Sequence, residues 1–128
     1  MTTLILVGRG ALSAYREVRD YAERTLTPVV CSMGGLGVMP SDHVLFRGMV
    51  GHTGNVEANE EVADADEIIV LGSRLDMRQT GTAPNLWAGK RVVMVNVDPS
   101  EIRGARVRLT QAHCETVAEW LHAHLHDV

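Results

Sequence analysis

Glu67-Ile68-Ile69-Val70-Leu71-Gly72 is the stretch of sequence that decides the fold. Four large apolar residues follow one another before the glycine, without the alternation of polar and apolar side chains that marks a strand with one solvated face. An uninterrupted run of this kind is typical of a strand buried on both faces of a parallel sheet. Similar runs occupy residues 4–7, 28–31 and 91–97, so the sequence predicts several such strands.

Segments with helical spacing separate these strands. We predict helices over 11–26, 54–65 and about 113–126, a short strand over 45–48 and a weaker strand over 106–109. Parallel strands joined by helices form right-handed crossovers. The sequence therefore predicts a single α/β domain over 1–128, with a doubly wound, mostly parallel, Rossmann-like sheet of five to six strands. The side chains expected to face inward are Ala14, Val18, Tyr21, Ala22 and Leu26 on the first helix, and Val56, Ala58, Asn59, Val62 and Ala63 on the second.

Composition argues against several classes of function. The formal net charge is −4, and one lysine and eleven arginines are interspersed with acidic residues, so no basic patch for nucleic acid is expected. The apolar run near Met1 is too short to span a bilayer, and we expect a cytoplasmic protein without a membrane partner. Cys31 and Cys114 lie too far apart to suggest a zinc site or a redox pair, and Cys31 is expected to be a small buried hydrophobe.

Glycines fall at the predicted carboxyl ends of the strands, where doubly wound sheets bind their ligands. Glycine lets backbone N–H groups approach a phosphate closely, so this edge suits an extended nucleotide. However, Gly8-Arg9-Gly10 lacks the third glycine of a dinucleotide fingerprint, and a tight strand-to-helix turn would use the same residues, so both interpretations stay open. The strand-end glycines are Gly8 and Gly10, Gly34, Gly51 and Gly54, and Gly72.

Two arginines follow the fourth predicted strand. Arg74 and Arg78 lie four residues apart, with Asp76 between them. Arginine can fork onto a phosphate or a carboxylate, but Arg74 could equally pair with Asp76 or with a carbonyl at the end of the sheet. The local residues do not decide between the two.

The histidines do not identify a catalytic or metal site. His43 and His52 lie on predicted loops, and no spacing supplies either with a partner, so we expect solvation or a backbone hydrogen bond. His122 and His126 have the i, i+4 spacing of metal ligands but lack the glutamate of an HExxH motif. A solvated helix face is the favoured interpretation.

Five blocks of residues occur in a distinctive order along nearly the whole chain. They are Val7-Gly8-Arg9-Gly10-Ala11; Thr27-Pro28-Val29-Val30 with Gly34-Gly35-Leu36-Gly37; Gly48-Met49-Val50-Gly51-His52-Thr53-Gly54 with Ala58-Asn59; the run from Ala65 to Arg78; and Val95-Asn96-Val97-Asp98-Pro99-Ser100-Glu101-Ile102. Each block is a weak signal alone, whereas the ordered series is specific. It resembles the central domain of thiamine-diphosphate-dependent enzymes, especially those of the acetolactate synthase group.

The resemblance implies a six-stranded parallel sheet of the kind shared with certain flavin- and NAD-binding domains. In members that carry FAD, this domain holds part of the flavin nucleotide, while in other members it is mainly architectural and packs between two catalytic domains. Carried over by position, the cofactor contacts would fall on Gly8, Arg9, Gly10, Ser32, Met33, Gly51, His52, Gly72, Ser73, Arg74, Asp76 and Arg78.

Departures from the family pattern lower the expectation of a bound flavin. The acidic pair Asp-x-Asp reads Asn96-Val97-Asp98 here, and a Gly-Asp before the last helix reads Gln111-Ala112. In the family, the Gly-Asp-Gly metal motif belongs to the diphosphate-binding domain and the activating glutamate to the pyrimidine-binding domain, and we expect neither domain in this chain. We therefore expect no catalytic residue, no metal site and no firmly bound cofactor. FAD or ADP remains a candidate ligand, and thiamine diphosphate and magnesium would bind only through partner domains.

Three hypotheses follow for function. The first is a non-catalytic central domain or subunit of a thiamine-diphosphate-dependent lyase or transferase of the acetolactate synthase type, acting on 2-oxo acids with separately encoded pyrimidine- and diphosphate-binding domains. The second is a stand-alone ADP- or FAD-binding regulatory module, and the third is a segment cut from a full-length enzyme. We also expect a homo-oligomer, since a domain that normally packs between others would expose apolar surface. Candidates for that surface are Met33, Met39, Met49, Val50 and the loop of Trp87.

Overall fold

Six parallel strands form one sheet in the computed structural model, which describes residues 2–51, 56–74, 87–105 and 107–125. The strands are β1 (Thr3–Val7), β2 (Val29–Cys31), β3 (Phe46–Met49), β4 (Glu67–Leu71), β5 (Arg91–Val95) and β6 (Gln111–His113). Their order across the sheet is β3-β2-β1-β4-β5-β6, and every pairing is parallel. The predicted doubly wound, Rossmann-like α/β fold is confirmed.

The helices connect the strands on both faces of the sheet. In the described ranges they are α1 (Tyr15–Thr25), α2 (Val56–Asp64), α3 (Pro99–Arg103) and α4 (Val117–Leu125), with 3-10 turns at Arg9–Ala14 and Met33–Gly35. The longest has 11 residues. In this part of the chain, no helix combines the length and hydropathy that crossing a bilayer takes.

Successive side chains of the central strand β1 point to opposite faces of the sheet, so the core has two layers. Ile5 and Val7 of β1 face a cluster that includes Val18 of α1 and Leu121 of α4. Leu4 and Leu6 of the same strand face a second cluster, built with Ala58 and Val62 of α2 and with Trp87. Because Leu4 to Val7 are buried on both faces of the sheet, these four positions are all apolar, which explains the uninterrupted run in the sequence.

The first helix differs from the predicted range at both ends. A 3-10 turn (Arg9–Ala14) precedes α1, and Leu26 ends the helix in the left-handed conformation with φ 53°. The N–H of Leu26 donates to the carbonyl of Ala22, and its side chain is 78% exposed. The prediction that Leu26 faces inward is therefore wrong. Of the others on this stripe, Ala14, Val18 and Ala22 are buried and Tyr21 is half-buried.

The predictions for the second helix were only partly correct. On α2, Ala58 and Val62 are buried, whereas Val56, Asn59 and Ala63 are exposed. The helix is described from Val56, since Gly54 lies outside the described residues. Strand β3 lies one residue later than predicted.

The last strand and the start of the last helix lie at other positions than the sequence predicted. Val107 and Leu109 pack against the second core cluster without joining the sheet, and Arg106 lies outside the described residues. β6 forms instead at Gln111–His113, where backbone pairing with β5 holds largely exposed side chains. His113 is thus a strand residue, α4 begins at Val117, and His126 is outside the described part of the chain. Helix α3 was not predicted.

A reciprocal cap explains where α4 begins. The backbone N–H of Thr116 donates to Glu119 Oε1 at 3.0 Å, and the N–H of Glu119 donates to Thr116 Oγ1 at 3.1 Å. This is the capping box that a Thr-x-x-Glu sequence forms at a helix start. The hydrogen bonds from the Thr116 backbone and side chain hold the pKa of the Glu119 carboxyl below its ordinary value.

The turns after β1 and β4 meet at the centre of the sheet. This is the topological switch point, because the chain runs outward from β1 to β3 and then from β4 to β6. A Cβ atom on Gly8 would lie 2.5 Å from Ser73 Cα, and one on Gly10 would lie 2.9 Å from Gly72 Cα. Gly72 also has φ +66°, a conformation that favours glycine. Backbone therefore packs directly on backbone here, and a side chain on either turn would overlap with the other.

The capping box makes stability depend on pH. Since the folded-state pKa of Glu119 is lowered, the carboxylate stabilises the fold above its unfolded pKa, and this contribution is lost as the pH falls through the lower folded value. We expect Glu119→Gln to lower the melting temperature by a few degrees at pH 7 and to have no effect at pH 3. Circular dichroism melts measure this, with the exposed Glu60→Gln of α2 as control. An equal deficit at both pH values would contradict the assignment.

The close contact between the two turns predicts that one added methyl group strongly destabilises the fold. Gly8→Ala should lower the free energy of unfolding by about 3 kcal/mol, because the methyl group meets backbone that cannot move aside. Urea denaturation measures the change. The control is Gly104→Ala, where φ is −89° and the nearest atom to the new Cβ is Ser100 O at 3.1 Å. If Gly8→Ala unfolds at the same urea concentration as the unchanged protein, the contact has no energetic importance.

Candidate functional site

The carboxyl ends of the strands form a rim (the turns that follow β1 to β5), and the predicted contact residues within the described ranges lie along it. His52, Asp76 and Arg78 lie outside the described residues. The residues that the fold brings to the rim are Gly8, Arg9 and Gly10 after β1, Ser32 and Met33 after β2, Gly51 after β3, and Gly72, Ser73 and Arg74 after β4.

The backbone N–H groups of four strand-end residues on the rim are already used within the domain. The N–H groups of Gly8 and Gly10 donate to the carbonyls of Leu71 and Gly72, both at 3.0 Å. The Ser32 N–H donates to Val7 O at 2.9 Å, and the Gly72 N–H donates to Val95 O at 2.9 Å. These bonds continue the sheet ladder beyond the strand ends and tie each turn to its neighbour.

A side-chain amide closes the turn after β3. The Gly51 N–H donates to Asn59 Oδ1 at 3.0 Å, and Asn59 Nδ2 donates to Gly51 O at 3.3 Å. Both polar groups of Gly51 are thus satisfied by one residue of α2, much as a neighbouring strand would satisfy them. Asn59 acts at the rim through its exposed side chain, although we had predicted it to face inward.

A second amide joins the turns after β4 and β5. Asn96 is 9% exposed; its Nδ2 donates to Ser73 O at 3.4 Å and its Oδ1 accepts from the Asp98 N–H at 2.9 Å. Asp98 caps α3 by accepting from the Ser100 hydroxyl at 2.7 Å and from the Ser100 N–H at 2.9 Å. These hydrogen bonds, first that of the hydroxyl, hold the pKa of the Asp98 carboxyl below its ordinary value.

Arg74 is paired with an acid from the neighbouring turn. Its Nε lies 3.2 Å from Glu101 Oε1 on α3, and its side chain is 68% exposed. The sequence suggested Asp76 or a sheet-end carbonyl as the partner, but Asp76 is not described and Glu101 was not considered. Arg9, at the end of β1, is exposed. The described cations of the rim are therefore at its surface.

The two positions compared with a Gly-Asp motif do not lie where they were expected. Gln111 and Ala112 are inside β6, and the residues directly before α4 are Cys114, Glu115 and Thr116. The last of these is the helix cap described above. The chain therefore uses this turn to begin a helix.

The described histidines lie in structural contacts. His43 Nδ1 accepts from the Leu45 N–H at 3.0 Å, which is the backbone hydrogen bond expected for a loop histidine. His122 Nε2 lies 3.9 Å from Glu17 Oε1, and the ring of His124 stacks on Trp120 with 4.0 Å between centroids. Within the described ranges, no three His, Cys, Asp or Glu side chains are arranged to hold a metal ion.

Cys31 and Cys114 occupy different environments. Cys31 is fully buried at the end of β2, as predicted, and burial raises the pKa of its thiol to about 11. It is therefore an unreactive thiol at neutral pH. Cys114 is exposed, and its Sγ lies 3.5 Å from Val97 O.

Three residues that shape the rim were not predicted from the sequence to do so. Asn96 was noted only as a departure from an acidic pair, Asn59 only as a helix position, and Glu101 only as part of a block. A cap signal, Asp98-Pro99-Ser100-Glu101, was present and would have predicted α3. The side-chain amides of Asn59 and Asn96 bond to residues 8 and 23 positions away in the sequence. Only the folded structure shows these pairs.

Comparison with known proteins places the chain in a family. Residues 2–122 match the family described as "Thiamine pyrophosphate enzyme, central domain". Acetolactate synthase 1, chloroplastic, of Zea mays is 38% identical over 99 residues, which are 77% of this chain and 16% of that protein. The acetolactate synthase isozyme 3 large subunit of Escherichia coli K12 is 35% identical over 101 residues, 77% of this chain and 18% of that protein.

A third relative matches a slightly longer part of the chain. The isozyme 2 large subunit of Escherichia coli K12 is 32% identical over 106 residues, 83% of this chain and 19% of that protein. The chain thus spans less than a fifth of the length of these relatives. With the six-stranded parallel sheet and the family match over residues 2–122, the chain belongs to the thiamine pyrophosphate enzyme central-domain family and is related to acetolactate synthases.

Proposed function

We propose that this chain is the non-catalytic central domain of a thiamine-pyrophosphate-dependent enzyme of the acetolactate synthase type, acting on 2-oxo acids. The observation that carries the proposal is the described part of the rim: backbone hydrogen bonds and the Asn96 amide join its turns, and the Asn59 amide ties the turn after β3 to α2. Such a rim keeps a rigid shape without a ligand. Rigidity of this kind suits a domain that spaces other domains.

In this proposal the chemistry belongs to partners. Separately encoded pyrimidine- and diphosphate-binding domains would hold thiamine pyrophosphate and magnesium, and this domain would fix their relative positions. The described residues contribute packing surfaces and no proton donor or nucleophile. Support comes from the family match and from the small share of each relative that the chain covers.

The nucleotide-binding alternative stays a prediction. The exposed side chains of Arg9 and Arg74 on the rim are the observation in its favour, because arginine binds phosphate well. The contacts of Gly8, Gly10, Ser32, Gly51 and Gly72 are explained by the fold alone.

Exposed apolar side chains support the proposal that another protein surface covers the rim. Of the large apolar residues exposed in the described ranges, five follow strand carboxyl ends, whereas Leu26 and Val44 precede strands. The surface we expected from the sequence was largely wrong: Met39, Val50 and Trp87 are buried and Met49 is half-buried, so only Met33 is exposed. The five rim residues are Leu12, Met33, Leu36, Val56 and Val97.

We expect the purified chain to self-associate through this apolar rim. Light scattering after size-exclusion chromatography should show a dimer or larger species at high protein concentration. Met33→Ser combined with Leu36→Ser should shift the population towards monomer, since these side chains are 61% and 54% exposed. Val44→Ser, 78% exposed before β3, is the control and should have no effect. A monomer at every concentration would contradict the proposed oligomer.

The architectural role is testable by exchange between relatives. Residues 2–122 of this chain would replace the matching segment of the isozyme 3 large subunit of Escherichia coli K12. We expect the hybrid protein to fold and to form acetolactate from pyruvate with magnesium and thiamine pyrophosphate, because the same sheet would space the same catalytic domains. The 128-residue chain alone should form none.

A second hybrid protein serves as control for this exchange. It carries the corresponding segment of the isozyme 2 large subunit, a relative of both. If the control forms acetolactate while the first hybrid is folded, correctly assembled and inactive, the proposed function is wrong. Turnover of pyruvate by the isolated chain would contradict it as well.

A further inference from the structure

We infer that the described part of the rim does not hold the diphosphate of a flavin or adenine dinucleotide, because the N–H groups of its strand-end glycines and of Ser32 are committed to hydrogen bonds within the domain. The inference rests on the architectural role proposed above and goes beyond it. The fold family makes FAD the cofactor to test against the residues present. Those residues do not fit it.

The backbone donors give the first reason. A diphosphate at a strand-end turn is held by N–H groups that point outward without a partner. Here the N–H groups of Gly8, Gly10, Ser32, Gly51 and Gly72 all donate to protein oxygens, at 2.9 to 3.0 Å. A phosphate oxygen would have to displace one of these bonds to use any of these five N–H groups, so binding through them would gain little.

Space at the switch point gives the second reason. Dinucleotides in doubly wound folds cross the sheet in a crevice at this point. In this chain a Cβ on Gly8 would lie 2.6 Å from Gly72 O, and one on Gly72 would lie 2.6 Å from Gly10 Cα. The backbones of the two turns are in direct contact at these glycines, so a diphosphate could not lie between these atoms. The glycines are needed to bring the turns together.

The side chains give the third reason. Asn96 stands where the family pattern has an acid that could accept from ribose hydroxyls, and its amide instead links Ser73 O to the Asp98 N–H. An aspartate could not donate to Ser73 O, so the amide is matched to this role. The Arg74 guanidinium lies 3.2 Å from the Glu101 carboxylate, which would compete with a phosphate for the cation and repel it.

The test is a binding experiment on the 128-residue chain, with ADP, FAD and inorganic pyrophosphate as probes. A ligand present at about 100 times its Kd would raise the melting temperature of a domain of this size by about 10 °C. We expect no saturable rise with any of the three probes. In amide NMR spectra, the signals of Gly8, Gly10 and Gly72 should stay in place during the titrations.

Each outcome of the titration decides the inference. Saturable shifts of the Gly8, Gly10 and Gly72 signals, with a rise in melting temperature that Arg74→Met removes, would overturn it. Saturable binding that moves only signals of residues outside the rim would support it, because the ligand would then lie away from the rim, whereas saturable shifts of any other rim residue would also overturn it. The exchange between relatives has a different readout, so its failure and the failure of this inference can be told apart.

Asn96→Asp provides a second test, since it restores the acid of the family pattern. We expect it to lower the melting temperature through the lost bond to Ser73 O and to leave the chain unable to bind ADP. Gln111→Glu, an exposed amide-to-acid change on β6, is the matched control and should affect neither property. If Asn96→Asp gains saturable ADP binding at the rim, the backbone is competent to hold a diphosphate and the inference is wrong.

Discussion

Direct contact between two backbone turns at the centre of the sheet is the constraint on which the rest of the structure depends. The turn after β1 and the turn after β4 approach so closely that a Cβ on Gly8 would lie 2.5 Å from Ser73 Cα. This contact sets the spacing of the two central strand ends and leads β1 directly into the 3-10 turn that precedes α1. Glycine is present because the contact excludes a side chain, which also gives the glycines a reason that requires no ligand.

The other described turns of the rim are held by a few polar contacts. Asn59 holds the turn after β3, Asn96 joins the turns after β4 and β5, and Arg74 pairs with Glu101 across the same interval. Two of these contacts use amides, which donate and accept at once and carry no charge that burial would penalise. The described turns of the rim thus make these contacts without a bound anion. The same region in a dinucleotide-binding domain has to leave donors unpaired until the ligand arrives.

The hydrogen bonding of these rim groups within the domain agrees with the family to which the chain belongs. In the described residues, the sheet has a hydrophobic core on each face, and its strand-end turns make contacts within the domain. The exposed apolar side chains on the rim, such as Met33 and Leu36, are unfavourable in water and favourable against another protein surface. The architecture therefore agrees with a domain that positions others, and the family relationship identifies the kind of enzyme in which it would do so.

Apolar runs were sufficient to predict the fold class, because a strand buried on both faces has no polar position and glycines must follow where turns pack closely. The strands at 4–7, 28–31 and 67–71, and the placement of Gly8, Gly10 and Gly72 at one edge, were evident in this way. Hydrophobicity does not predict a strand that is paired through its backbone while its side chains are exposed. The last strand was therefore predicted at Val107 and Leu109, which pack on the core, whereas β6 lies at Gln111–His113. The partners of Asn59, Asn96 and Arg74 come from other elements of the fold. Such contacts depend on how strands and helices are arranged in space, and no local pattern of residues records that arrangement.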